Sequence, residues 1–430
     1  MPRVLLVTNA LPPAMLADCQ RARMLAYSLA EVGWEVELLA PNVDFQIPIY
    51  LDTKATELRP HGILIHEVPP GNDWLLRRIG MRSMAWRALW PLYQQGCIVL
   101  LEKKFDLIYI STAQFNFFCL GALWERRLNV PYILDFHDPW FRESSIYQTS
   151  ARNWKYYVSA KLAKYLERFA LKAAAGLVAV SPVYLEQLRG RYPKFRCVQS
   201  ETSSAIPFGV AERDFDVSKA LADQPEVGNP TVLNIVYVGA GRSIMAKSFQ
   251  RICQGLVRLK QREPDLLNKI RIRLFGTYAY WVPSDPKELQ ALAEAEGVGE
   301  CVEELPARIG YVEALALALR ADGLLVLGVD DPAYMPSKLF LYAMSGKPLL
   351  ACMHVDSQVN DYFDHFPEIG SLIHFSGPSE TEAAEDARLL EFVRQVAVRQ
   401  EFSRETIRDE FSASTMALRH VELFERCLKA

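Results

Sequence analysis

The chain has 430 residues, half of them hydrophobic, which is too long for one ordinary domain and suits two of about 200. Its net charge is only −3, but residues 1–205 carry 24 Lys and Arg against 18 Asp and Glu, leaving 24 against 33 for the rest, so the first half is the better partner for an anionic surface. Eight cysteines with no Cys-x-x-Cys pair and seven histidines without metal spacing argue against a disulfide framework or a metal site. No apolar run approaches the roughly 18–20 residues of a membrane span. The start does not read as a signal peptide, because its short apolar run is broken at once by Thr8–Asn9 and Pro12–Pro13. These features predict a soluble, cytoplasmic protein.

In chain order, Val4–Thr8 reads as a buried strand, Gln20–Val32 as a helix and Gly33–Pro41 as a second strand. That βαβ unit opens a doubly wound parallel sheet. Further strands are predicted at Ile63–Pro69, Leu107–Thr112, Tyr132–Asp138 and Gly176–Ser181, with helices between, including Ala160–Ala175.

The stretch Asp73–Phe105 breaks this rhythm. Trp74, Trp86 and Trp90 interleave with Arg77, Arg78, Arg82 and Arg87, and no acidic residue lies between Asp73 and Glu102. A helix over residues 74–104 suits the headgroup layer of an anionic membrane; equally, it suits a core-packing helix with arginines turned outward. Trp154–Lys172 is a second basic, aromatic stretch that extends the same face. No nucleic-acid-binding module surrounds either one.

Tyr132–Trp140 ends an apolar strand in His137 and Asp138, at the carboxyl edge where open α/β sheets bind ligands. Such a pair could supply a general base or position a hydroxyl; a strand-end histidine can also be purely structural.

A polar, Pro- and Gly-containing region, 206–230, reads as a linker. Leu233–Gly239 opens a second sheet, continued at Ile270–Gly276, Val302–Arg308, Gly323–Val329, Pro348–Met353 and Leu372–Phe375, and residues 401–430 read as terminal helices. The turn after Leu233–Gly239 nearly spells a P-loop, with Ala246 in place of its second glycine, and nearly spells a dinucleotide fingerprint, with Ile244 in place of its third. After Gly323–Val329 comes Tyr334–Leu350, YMPSKLFLYAMSGKPLL, predicted as a helix from Ser337 to Gly346. Its start, with the Ser337 hydroxyl and the Lys338 ammonium, is a place to hold a diphosphate.

Several of these segments together resemble glycosyltransferases of the glycosyltransferase 4 type. Pro12–Pro13, Arg21 and GWEV match the family's opening; YILDFHD matches its histidine segment; IPFGV (Ile206–Val210) matches its interdomain segment; and SKLFLYAMSGKPLL matches its donor segment. The resemblance implies a GT-B fold, with two Rossmann-like domains facing a central cleft. Residues 1–205 would bind the acceptor, 231–400 the nucleotide sugar, and 401–430 would cross back to the first domain. It also implies that His137 contacts the donor sugar, with Asp138 a candidate base. Gly241, Arg242, Lys247, Ser337 and Lys338 would hold the donor diphosphate, and Arg308 would border the nucleotide base. The chain departs from the family where a ribose-binding Glu is expected: Leu341 occupies that position, and Ala333 replaces its partner. Ala17–Asp18 likewise stand where relatives carry two glycines.

The implied reaction is metal-independent transfer of a hexose-type sugar from a UDP- or GDP-sugar to an acceptor hydroxyl. The acceptor would be a glycan or lipid-linked sugar of surface polysaccharide assembly, at the inner membrane face. Retention and inversion both stay open. So do a sugar-nucleotide epimerase and a catalytically silent scaffold, the latter matching the altered Leu341 and Ala17–Asp18 positions.

Overall fold

A computed structural model describes residues 1–71, 74, 78, 83–141, 154–221, 232–239, 241–376 and 382–429. The chain divides into two compact units, Met1–Gly209 with Ala413–Ala430, and Val210–Ser412.

The first unit is built on seven strands: β1 (Arg3–Val7), β2 (Glu35–Pro41), β3 (Leu64–Val68), β4 (Leu107–Ser111), β5 (Tyr132–Phe136), β6 (Gly176–Ala179) and β7 (Ser203–Ala205). They pair in the order β3-β2-β1-β4-β5-β6-β7, all parallel. Strand order reverses between β1 and β4. β4, β5 and β6 are buried at every residue, as expected of inner parallel strands covered on both faces. β7 is the one strand not predicted from sequence. It has only three residues, Ser-Ser-Ala, and an edge strand that short has no apolar run to reveal it.

The connection from the helix Ala17–Glu31 into β2 shows why GWEV reads as it does. Gly33 adopts φ +90°, the Gly33 amide donates to Ala30, and the Trp34 amide donates to Leu29, a Schellman closure. Trp34 then packs edge-on against Phe424 of the helix Ala413–Lys429, with ring centres 5.4 Å apart. Phe424 also meets Tyr109 of β4 at 5.1 Å, so the last helix of the chain completes the core of the first unit.

The second unit holds β8 (Leu233–Val238), β9 (Ile270–Phe275), β10 (Val302–Leu305), β11 (Gly323–Leu327), β12 (Leu349–His354) and β13 (Ser371–Phe375). Their order is β10-β9-β8-β11-β12-β13, again all parallel, with reversal between β8 and β11. The region expected as linker holds a helix, Glu212–Leu221, which packs on Tyr311–Arg320; Ser218 donates to the Val312 carbonyl at 2.7 Å and Tyr311 to Asp214 at 2.7 Å. Residues 222–230 lie outside the described residues.

All eight cysteines are free and buried, as small core residues. Among the described residues no helix is long and apolar enough to cross a membrane.

Candidate functional site

Of the predicted donor residues, Gly241, Arg242, Lys247, Ser337 and Lys338 gather at the carboxyl ends of β8 and β11, where the strand order reverses and open sheets bind ligands, whereas Arg308 follows the edge strand β10. Gly241 follows β8. Its amide donates to the Thr277 carbonyl at 3.0 Å, and a Cβ there would stand 2.9 Å from the Thr277 side chain, so only glycine fits without a shift. Arg242 takes φ +60°, a left-handed conformation that costs a non-glycine residue energy. Its guanidinium lies 4.5 Å from the centre of the Tyr278 ring and 2.9 Å from Glu288. A short 3-10 turn, Arg242–Met245, leads into the helix Ala246–Arg262, and Lys247 pairs with Asp330 at 2.5 Å.

The segment Tyr334–Leu350 differs from expectation. The helix begins at Leu339 rather than Ser337 and spans only five residues, Leu339–Ala343, although Gly346 does turn the chain at φ +72°. The Leu339 amide already donates to the Pro336 carbonyl. A helix of barely more than one turn carries little macrodipole, so the expected cradle at the helix start is weaker than the sequence implied. Ser337 is exposed. Lys338 is not a mobile solvated cation: its ammonium turns inward, donates to the Val238 carbonyl at the end of β8, and lies 4.8 Å from the centre of the Tyr237 ring. Burial pulls its pKa down from the ordinary lysine value to about 8. Gly239, at φ +135°, leaves room for that ammonium.

Leu341 is partly buried against the apolar core of the second unit, and Ala333 is buried. Neither can accept a hydrogen bond from a ribose. Arg308 is exposed in the loop after β10, its Cα 3.9 Å from where a side chain on Gly276 would begin.

In the first unit, β5 delivers His137 and Asp138 to the carboxyl edge, where they part company. Asp138 is exposed; His137 folds back and is buried. The carboxylate that His137 meets is Asp135, with Nε2 3.2 Å from Oδ2, and Ser111 Oγ of β4 is 3.0 Å from the same nitrogen. Asp135 Oδ2 also receives Ser111 Oγ at 2.8 Å and Arg21 Nε at 2.7 Å. Burial works to raise the Asp135 pKa, but the Arg21 charge prevails and holds the carboxyl well below its usual range.

Arg21 spends its remaining donors on the carbonyls of Pro207, at 2.8 Å, and Ile206, at 3.0 Å. His420, from the last helix, accepts from the Tyr109 hydroxyl at 2.8 Å, and burial followed by the Arg21 charge lowers its pKa to about 3. Arg21, Ser111, Asp135 and His420 were not singled out as site residues from the sequence. The spacing Asp135-x-His137 on one face of a strand was the available signal.

Asp18 does not keep the ligand loop open as the family's glycines would. It is buried and accepts from the Ala113 amide at 2.9 Å, tying the first helix to the end of β4.

A basic and apolar face also stands out. The helix Phe118–Leu128 packs against both Met84–Glu102 and Trp154–Leu171. Its Trp124 stacks on Tyr93 and fits only because position 96 is glycine. Trp90, Ile98, Leu101, Leu123, Tyr157 and Tyr165 of these helices are exposed, as are Lys104, Arg126, Arg127, Lys161 and the acidic Glu102. Trp74 is exposed beneath Arg78, at 4.5 Å, while residues 75–77 and 79–82 of the predicted membrane stretch lie outside the described residues.

Residues 20–198 match the family model of the glycosyl transferase 4-like domain. Residues 20–198 are thus similar to a glycosyl transferase 4-like domain, and the chain as a whole has the GT-B fold. Among solved structures, Anabaena Alr3699/HepE in complex with UDP-glucose is similar at TM-score 0.60 and 15% identity, over 98% of this chain and 99% of that one. The catalytic domain of starch synthase IV from Arabidopsis thaliana, bound to ADP and acarbose, is similar at TM-score 0.62 and 13% identity, with all of both chains covered. A UDP-GlcNAc 2-epimerase from Methanocaldococcus jannaschii is similar at TM-score 0.52 and 11% identity, over 99% of each chain. The sequence matches no curated protein. Leu341, Ala333 and Asp18, where the sequence resemblance leads one to expect other residues, are each built into packing or hydrogen bonding.

Proposed function

We propose that the protein transfers a sugar from a nucleoside diphosphate sugar, UDP- or GDP-linked, to an acceptor hydroxyl on a glycan or lipid-linked sugar. The observation that carries this reading is the gathering of Arg242, Lys247 and Lys338 around the ends of β8 and β11. When the sugar leaves, charge develops on the diphosphate, and fixed cations stabilise it without any reorganisation at the moment of reaction. Arg242 and Lys247 are held by Glu288 and Asp330 until a diphosphate competes for them. The Anabaena relative crystallised with UDP and UDP-glucose supports UDP as the first nucleotide to try.

The membrane component rests on the exposed apolar and basic face of the three helices, which suits an anionic inner leaflet and so a lipid-linked acceptor of surface polysaccharide assembly. Flotation with vesicles containing anionic lipid should carry the protein upward, and a Trp90→Ser, Leu101→Ser variant should stay at the bottom. Wild type that fails to float removes this component.

Calorimetric titration with UDP, GDP, ADP, dTDP and CMP tests the donor site. One nucleoside diphosphate should bind wild type and bind Lys338→Ala at least tenfold more weakly, the scale of a charged hydrogen bond. The pairing of Arg242 and Lys247 with carboxylates and the inward turn of Lys338, together with Leu341 packed against the core, favour a silent scaffold as the second reading, and no binding across the panel would select it.

A further inference from the structure

Side chains, not backbone, hold the ends of β8 and β11. β8 pairs with β9 along its whole length, from Leu233 to Val238, but with β11 only at Ile235 and Val236. Alternate residues of an inner parallel strand turn their backbone groups to opposite neighbours. Asn234 accepts from Asp322, just before β11, and Gly239 donates to Phe275 of β9, so the amide and carbonyl of Val238 face the β11 side. Val238 is buried, and a buried peptide needs both groups matched. With the ladder already ended, both partners come from one turn of the segment after β11. The Val238 amide donates to the Tyr342 hydroxyl at 3.2 Å, and the Val238 carbonyl accepts from the Lys338 ammonium. Lys338 and Tyr342 stand four residues apart on one face, with the Tyr342 amide donating to the Lys338 carbonyl at 2.9 Å.

The berth of the ammonium is built from more than that carbonyl. The buried Tyr237 ring lies against it, and Gly239 lacks the Cβ that would collide with it. Tyr342 sits in an apolar core cluster, where a phenylalanine ring would fill the same space. Its hydroxyl there serves Val238.

We infer that Tyr342 is a positioning residue for Lys338: together they clamp the Val238 peptide, keep the ends of β8 and β11 apart where the strand order reverses, and present a fixed ammonium to a nucleoside diphosphate. An ammonium already in place gives up little side-chain freedom when the anion arrives. One of its hydrogens goes to Val238, which leaves two for the ligand. That the anion is the diphosphate of a sugar nucleotide rests on the function proposed above; the clamp does not.

The experiment has two arms. Tyr342→Phe keeps the ring in the core and removes only the hydroxyl. In calorimetric titration it should bind UDP about fivefold more weakly than wild type, the size of one neutral hydrogen bond. In a Lys338→Met background the same change should cost less than about twofold, because the group it positions is gone. Losses of equal size in both backgrounds, or none in either, overturn the inference, since a packing role would not depend on Lys338.

The second arm reads Lys338 directly, in protein carrying carbon-13 at the lysine ε carbons. Burial in the berth lowers its pKa to about 8. Its signal, assigned by its loss in Lys338→Met, should therefore titrate below those of exposed lysines. Tyr342→Phe should move it up towards them as the ammonium turns out to solvent. A Lys338 that titrates with the exposed lysines in wild type, or that does not move in the variant, overturns the inference. If wild type binds no nucleoside diphosphate, the transferase reading falls, and this titration still decides the clamp.

Discussion

Arg21 and Asp135 are 114 positions apart in sequence and 2.7 Å apart in space, with both side chains fully buried. Because Arg21 also binds the carbonyls of Ile206 and Pro207, one side chain joins the first helix, the central strands and the end of the first unit. Removing one partner leaves a buried charge uncompensated. Arg21→Ala should therefore cost about 3–5 kcal/mol, read from urea unfolding. A combined Arg21→Met, Asp135→Leu variant should cost clearly less than the single change. If the double variant is the worse of the two, the pair is net stabilising and this account of its cost is wrong.

His420 should make the first unit acid-sensitive. Its pKa in the fold is about 3, against the ordinary 6.5, because burial and Arg21 disfavour the charged ring. Between those values the unfolded chain holds a proton that the folded chain does not, so stability rises with pH across that window and falls on acidification below 6.5. The slope approaches about 1.4 kcal/mol per pH unit for one group. Urea midpoints at several pH values should show it, and His420→Gln should flatten it.

Lys338 acts with the same sign in a higher window. Burial holds its pKa near 8 rather than 10.5, so the unfolded chain binds more protons between these values and stability of the second unit rises with pH through them. Lys338→Met should remove that rise. A diphosphate arriving beside the ammonium favours its charged form, so binding near pH 8–9 should take up a proton. Titrations in buffers of different ionisation enthalpy measure the uptake directly; none at all would place the diphosphate away from Lys338.

Asp330 competes with a diphosphate for Lys247. The pair is exposed, and such pairs are worth about 0.2–1 kcal/mol. Asp330→Asn should accordingly tighten nucleoside diphosphate binding by about 1.5–5-fold. A weaker Kd in the variant would instead assign Asp330 to the nucleotide itself, as a substitute for the missing ribose carboxylate.

Much of the scaffold was legible because parallel strands buried on both faces write themselves as apolar runs: Leu107–Thr112 and Gly323–Val329 could scarcely be anything else. Gly33 and Gly346 were readable for a related reason, since each sits where the backbone must turn left-handed. The candidate site was harder. Lys338 was expected to face the diphosphate because sequence shows a charge and not the Val238 carbonyl that captures it. Asp135 was passed over in favour of its neighbour Asp138, since which of two nearby carboxylates turns inward depends on Arg21, far away in the chain. Asp18 looked like a lost glycine until its hydrogen bond to Ala113 was seen.

The first unit is assembled from two stretches of chain, Met1–Gly209 and Ala413–Ala430, whereas the second is continuous. On the ribosome the order of synthesis is therefore not the order of completion. The second unit has all of its residues once Ser412 has emerged, while the first, although made earlier, still waits for the helix that brings His420 and Phe424 to Tyr109. Until then the face that this helix covers is bare, and a nascent chain paused once Ser412 has emerged would offer chaperones and proteases an incomplete first unit although the second is finished.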